Sequence, residues 1–189
     1  MQKRADWQGG LTELVFEKLK FFDEAGMNLA MTRLFGRVAR GVRVEEGVPK
    51  NYGENISLMG VLSVSGLEAV MTVNWAVDTE ILKVYVQEIL ADVLRTGDVV
   101  VMDNLKVHDS EAIVTAIAAC GAQVIYLPPY SPDLNPIEKC WSKIKTALRA
   151  AKARTREALE AALKEAMETV TEADARAWFA CCGYTLHPI

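Results

Sequence analysis

Strand-like patterning comes first in this chain and helix-like patterning follows. Leu14 to Asp23 (LVFEKLKFFD) has β-type content and ends in an acidic residue, with Glu24 next. Ile56 to Val73 (ISLMGVLSVSGLEAVMTV) is two apolar runs around Ser65-Gly66, which signals a hairpin. Between them, Ala30 to Val44 (AMTRLFGRVARGVRV) mixes arginine with apolar residues and reads as a strand pair or as a strand and a loop. After Asp78-Thr79 the spacing turns helical. Ile81, Leu82, Tyr85, Ile89 and Val93 predict a helix through Leu94, ended by Gly97. Val99 to Met102 (VVVM) is short and wholly apolar, as expected of a strand buried on both faces. Asp109-Ser110 caps a second helix that reaches Cys120 and stops at Gly121. Gln123 to Leu127 (QVIYL) is another strand of the buried kind. A proline-rich loop, YLPPYSPDLNPIEKCW, leads into a helix from about Pro136 to Arg149. A last amphipathic helix is expected from about Thr155 to Val170, with a further turn toward Cys182.

The resulting order is β, β, β, α, β, α, β, α, α. Antiparallel strands followed by β-α-β alternation predict an α/β fold, one mixed sheet with helices on both faces. At 189 residues the chain suits one domain with a sizeable core, and no internal repeat is present. It is 51% hydrophobic and 24% charged, ordinary for a soluble globular protein. No apolar stretch approaches the roughly 18 residues a membrane span needs, and the start, MQKRADWQGG, is too polar for a signal peptide. Cys120, Cys140, Cys181 and Cys182 lack paired C-x-x-C spacing and read as reduced core thiols of a cytoplasmic protein. With only His108 and His187, a zinc site is not expected. The net charge of −4 argues against coating nucleic acid through bulk charge, while leaving room for a local basic face.

Three acidic residues then stand out. Asp23 ends the first strand, Asp103 follows Val99 to Met102 and precedes Asn104, and Glu138 lies in the first turn of a late helix. In a mixed sheet, the first strand and the strand after the first crossover are candidates for neighbours. Their carboxyl ends would then set Asp23 beside Asp103, where open α/β sheets bind ligands. Carboxylates that close repel one another unless a cation lies between them. Oxygen donors without a histidine or thiol cluster favour a hard ion such as Mg²⁺. A third carboxylate allows two ions, the arrangement used in phosphodiester cleavage. Each residue also has a plainer role. Asn135-Pro136-Ile137-Glu138 fits a capping box with Pro at N1, and on local sequence the two readings of Glu138 weigh equally. Asp103-Asn104 alone suits a strand-to-loop turn, and Asp23-Glu24 a solvated strand end. Strand parity leaves Glu24 a rival to Asp23. His108 alone reads as a local hydrogen-bonding residue.

Taken together, FFDEAG, VVMDNLKVH and YLPPYSPDLNPIEKCWSKIK resemble the three catalytic blocks of DDE transposases, most closely the bacterial insertion sequence 630 branch of the mariner-like superfamily. Between Asp103 and Glu138 lie 34 residues (138 − 103 − 1), the gap typical of that family. The resemblance runs from about Leu14 to Tyr184 and implies a ribonuclease-H-like fold. It implies that Asp23, Asp103 and Glu138 form a metal-binding triad for two Mg²⁺ ions, with Mn²⁺ as a substitute. Asn104 and His108 match family positions that support the site or contact DNA. The implied reaction is hydrolysis at transposon ends, followed by attack of the freed 3′-hydroxyl on target DNA. Implied partners are double-stranded DNA, both transposon ends and target, and a second copy of the chain in a homodimer. The expected location is the cytoplasm, at the nucleoid.

From Lys139 to Arg156 there are seven basic residues and no acidic one. Lys145, Arg149, Lys152 and Arg156 share a face if the helix is continuous, and with Lys139 and Lys143 they are the expected DNA contacts. Arg33, Arg37, Arg40 and Arg43 form a weaker cluster. Family members usually carry helix-turn-helix domains ahead of the catalytic one. Here residues 1–189 are expected to be a single catalytic domain lacking that module, with a separately encoded helix-turn-helix protein as a candidate partner. The rival functions are a catalytically silent remnant that binds DNA or a full-length partner, and a ribonuclease-H-like nuclease without strand transfer.

Overall fold

The computed structural model describes residue 7 and residues 15–74, 76–103 and 111–184. Five strands form one sheet. They are β1 (Leu19–Asn28), β2 (Asn55–Ser63), β3 (Gly66–Val73), β4 (Val99–Met102) and β5 (Gln123–Tyr126), in the spatial order β3-β2-β1-β4-β5. The pairs β1–β2 and β2–β3 are antiparallel, whereas β1–β4 and β4–β5 are parallel. This is the mixed sheet the element order predicts, and β1 and β4 are neighbours in it.

Helices cover both faces. The first, α1, comprises Thr79–Tyr85, a π-helical turn at Val86–Leu90 and Ala91–Val93. Asp78 caps it by accepting from Ile81 N at 2.9 Å. With α2 (Glu111–Ala119) it packs Leu82, Tyr85, Leu90, Ile113 and Ile117 against Phe22, Met59, Val61, Val100 and Met102. The proposed Asp109-Ser110 cap of α2 lies outside the described residues. Gly121 closes that helix at φ +76°, a conformation that favours glycine. The opposite face carries α3 (Ile137–Ala151), α4 (Arg156–Glu168) and α5 (Glu172–Cys181), packed on Leu19, Phe21, Ala25, Leu58 and Val101. Alternation along the strands therefore feeds two cores, one on each side of the sheet.

Four expectations need correction. The first strand begins at Leu19 and runs to Asn28, so Asp23 is mid-strand. Pairing with β2 as far as Asn28↔Asn55 sustains β1 beyond the point where β4 ends. Ala30 to Val44 forms neither strand nor helix. Its arginines, three or four residues apart among apolar ones, join no strand, and Phe35 is 90% exposed. The final helix is two helices, because Thr171 starts α5 with a capping box to Asp174. Finally, the basic face is broken. Lys152 ends α3 in the left-handed region at φ 52°, and Thr155 caps a separate α4.

Candidate active site

The parallel register of β1 and β4 aligns Phe21 with Val101. β4 ends at Met102, so Asp103 leaves the end of the strand next to the one that carries Asp23, and both residues line the same pocket. The two cores put Asp23 and Glu24 on opposite faces of the sheet. Phe21 and Ala25 belong to the core beneath α3, whereas Phe22 belongs to the core beneath α1. Asp23 thus shares the α3 face and Glu24 the other.

Glu138 comes from the first turn of α3. The loop before it is held at several points. Ser131 Oγ donates to the Pro129 carbonyl at 3.3 Å, Pro132–Leu134 form a 3-10 turn, and the buried Tyr184 hydroxyl donates to the Leu134 carbonyl at 2.7 Å. Ile137, Cys140, Trp141, Ile144 and Leu148 bury the opposite stripe of α3 and seat it on the sheet. The capping box read from Asn135 and Glu138 is not what fixes this helix start. The Glu138 N–H bonds the Asn135 main-chain carbonyl at 3.2 Å, and Asn135 Oδ1 makes no hydrogen bond among the described residues.

Asp23, Asp103 and Glu138 line one pocket of about 340 Å³, together with Asn135 and the loop from Leu127 to Pro132. Asp23 is 8% exposed. Burial is the main cause that pushes its carboxyl up to about 8; the charges of Glu138, Glu24 and Asp103 act in the same direction. Asp23 therefore feels the charges of Glu138 and Asp103 across the pocket. The three carboxylates do not close on a single point, for no group of three His, Cys, Asp or Glu side chains among the described residues is gathered tightly enough to hold an ion. Glu138 is exposed on α3, whereas Asp23 is buried. The chemistry of the donors nonetheless fits a hard cation, because the polar side chains lining the pocket offer oxygens and include neither His nor Cys. Asn104 and His108 lie outside the described residues.

Several residues at the site have only weak sequence signals. Trp141 Nε1 donates to Asp23 Oδ2 at 3.2 Å from a fully buried position, across 118 residues of chain. The ring fits because β2 carries Gly60 opposite Asp23, where a Cβ would come within 3.1 Å of Trp141 Cη2. Tyr130, on the rim, is 98% exposed and held at φ 55°. The tryptophan is visible in the motif as EKCW, but nothing local points it at Asp23.

The basic residues divide by face. Lys145 and Arg149 follow Glu138 at seven and eleven positions, so helical periodicity puts all three on one flank of α3. Neither has an ion-pair partner among the described residues. Lys143, on the other flank, bonds Asp174 at 2.6 Å and the Thr169 carbonyl at 2.7 Å. Lys152 pairs with Glu46, and Arg156 with Glu160. Among the described residues no helix is long and apolar enough to cross a membrane.

Comparison with known proteins adds to this geometry. A family model described as DDE superfamily endonuclease matches residues 18–160. The chain is similar in fold to a pre-cleavage Mos1 transpososome, with a TM-score of 0.71 at 14% identity over 100% of this chain and 62% of that one. It is similar to the mariner Mos1 paired-end complex with Mg, with a TM-score of 0.72 at 13% identity over 98% and 59%. The catalytic domain of Mos1 mariner transposase gives 0.65 at 12% identity over 96% and 89%. The chain thus spans about three fifths of the length of the first two of these proteins. No curated protein matches it in sequence.

Proposed function

Because the chain belongs to the DDE superfamily endonucleases, we propose that its acidic pocket is the active site of a divalent-cation-dependent transposase. The reaction proposed is DNA cleavage at transposon ends and strand transfer into a target duplex. The observation that carries this reading is the common pocket of Asp23, Asp103 and Glu138, drawn from β1, the end of β4 and the start of α3. These three would hold two Mg²⁺ ions, with Mn²⁺ as a substitute. When bound, such ions activate the attacking oxygen and stabilise the leaving one in phosphodiester chemistry.

The protein's own contribution is placement. Trp141 holds one oxygen of Asp23 from behind, and the Tyr184-anchored loop fixes where α3 begins. The flank of α3 that carries Glu138 continues through Lys145 and Arg149. A phosphate backbone entering the pocket would meet those two cations next, over roughly 16 Å of helix. Tyr130 offers an exposed ring at the pocket mouth on which a base can stack. Lys143, Lys152 and Arg156 are occupied within the fold and rank below Lys139, Lys145 and Arg149 as DNA contacts.

The motif YLPPYSPDLNPIEKCW supports placement in the insertion sequence 630 branch. The fold likeness to a Mos1 paired-end complex supports action on paired transposon ends, and a homodimer is proposed as the acting form. A helix-turn-helix protein is proposed as a further partner for end recognition.

The test is incubation of the purified chain with DNA bearing the element's ends, in Mg²⁺ or Mn²⁺, with and without a candidate helix-turn-helix protein. Nicked and joined products are expected from wild type and neither from Asp103→Ala. Equal cleavage by the two proteins refutes the site. Nicking without joining makes the chain a nuclease instead.

A further inference from the structure

Asn135 is a pocket residue whose backbone is bonded to Pro132 and Glu138 but whose side-chain oxygen finds no hydrogen bond among the described residues. It has the extended backbone of an N-cap, at φ −107° and ψ 97°, directly before Pro136 and α3. Asparagine at such a position normally turns its side-chain oxygen onto the helix N–H groups. Here the main-chain carbonyl takes the Glu138 N–H, and the side-chain oxygen is left out of the cap. Asn135 is 4% exposed, its Oδ1 has no hydrogen-bond partner among the described residues, and the residue lines the pocket with Asp23, Asp103 and Glu138. A buried acceptor without a partner costs stability, and native proteins retain one chiefly where a ligand, ion or water completes it.

The surroundings select the ligand. Three carboxylates already face the pocket, so a hydrogen-bond donor or a cation is favoured beside Oδ1 and an anion is not. An amide carbonyl is an established kind of oxygen donor toward hard cations, and it adds an oxygen without adding a further negative charge to a crowded acidic site. We propose that Asn135 is a positioning residue of the acidic pocket, its side-chain carbonyl helping to hold a hydrated divalent cation beside Asp23, Asp103 and Glu138. This rests on the reading of the pocket as a cation site. It assigns Asn135 a role that helix capping does not account for.

Capping and cation holding predict opposite signs. The full chain carrying Asn135→Leu, of similar volume, is compared with wild type in two measurements. These are thermal unfolding in EDTA and Mn²⁺ binding followed by electron paramagnetic resonance of the free ion. If the amide serves the cation, Asn135→Leu leaves the midpoint in EDTA unchanged or raised, because an unpaired buried oxygen has been removed. Its Mn²⁺ affinity falls about tenfold or more, the effect typical of groups that support metal ligands. An unchanged affinity overturns the proposal. If the leucine variant does not fold, Asn135→Asp decides. That variant keeps an oxygen in place and is expected to bind Mn²⁺ at least as tightly as wild type, while unfolding earlier in EDTA. Weaker binding by the aspartate variant overturns the proposal. Wild type that binds no Mn²⁺, or binds it equally after Asp103→Ala, overturns the cation site itself. Loss on Asp103→Ala without loss on Asn135→Leu overturns only the role of Asn135.

Discussion

Asp23→Asn removes the charge that the pocket disfavours and keeps the acceptor oxygen that Trp141 needs. In wild type the folded Asp23 carboxyl is pushed to about 8, from an ordinary value of 3.8. Above about pH 4 the unfolded chain has released this proton, while the folded chain retains it until about pH 8. Folding therefore takes up a proton throughout that window. The stability that comes from the neutral carboxyl is fully present below about pH 4 and is lost as pH rises through about 8. Each pH unit of the window contributes about 1.4 kcal/mol, so the effect is on the order of 3–5 kcal/mol once relaxation of the pocket is allowed for. For a chain of this length that corresponds to roughly 10 °C in the unfolding midpoint. The assay is thermal or urea unfolding at pH 5 and pH 8 in EDTA. Wild type should lose stability between the two, Asp23→Asn should lose much less, and the variant should be the more stable at pH 8. Adding Mn²⁺ at pH 8 should restore wild type and leave the variant unmoved. Parallel pH profiles for the two proteins, or a less stable variant at pH 8, would refute the argument that burial and neighbouring carboxylates suppress ionisation of Asp23.

Trp141→Phe keeps most of the buried ring and deletes the 3.2 Å hydrogen bond to Asp23. It should cost about 1–2 kcal/mol in urea unfolding and weaken Mn²⁺ binding, whereas a ring that only fills space would leave binding unchanged. Gly60→Ala drives a Cβ to 3.1 Å from the same ring and should cost about 1–3 kcal/mol, a loss that Trp141→Phe in the same chain partly relieves. Among the basic residues, Lys145→Ala and Arg149→Ala should each weaken DNA binding and lower its salt slope by about 1, measured by fluorescence anisotropy over a salt series. Lys143→Ala should chiefly lower the unfolding midpoint, because its ammonium is held by Asp174 and the Thr169 carbonyl.

The element order, the hairpin at Ser65-Gly66 and the buried runs of β4 and β5 were legible because each is a local pattern. Period, turn residues and apolar runs are set within a few residues of one another. The motif blocks bring forward Asp23, Asp103 and Glu138, which the fold gathers around one pocket. What the chain could not reveal locally was which face of β1 would meet α3. That needed the second core, and it separated Asp23 from Glu24. The same holds for the length of β1, sustained by a β2 partner some thirty residues away, and for the break at Lys152 that split the basic stripe. Asn135 and Glu138 carry the letters of a capping box, but the main-chain carbonyl takes the Glu138 N–H and leaves Asn135 Oδ1 out of the cap. The link from Trp141 to Asp23 spans 118 residues and depends on a glycine of a third element. Local sequence determined which groups exist and what backbone they sit on. Long-range packing decided which of them face one another, because register and facing depend on partners distant in the chain.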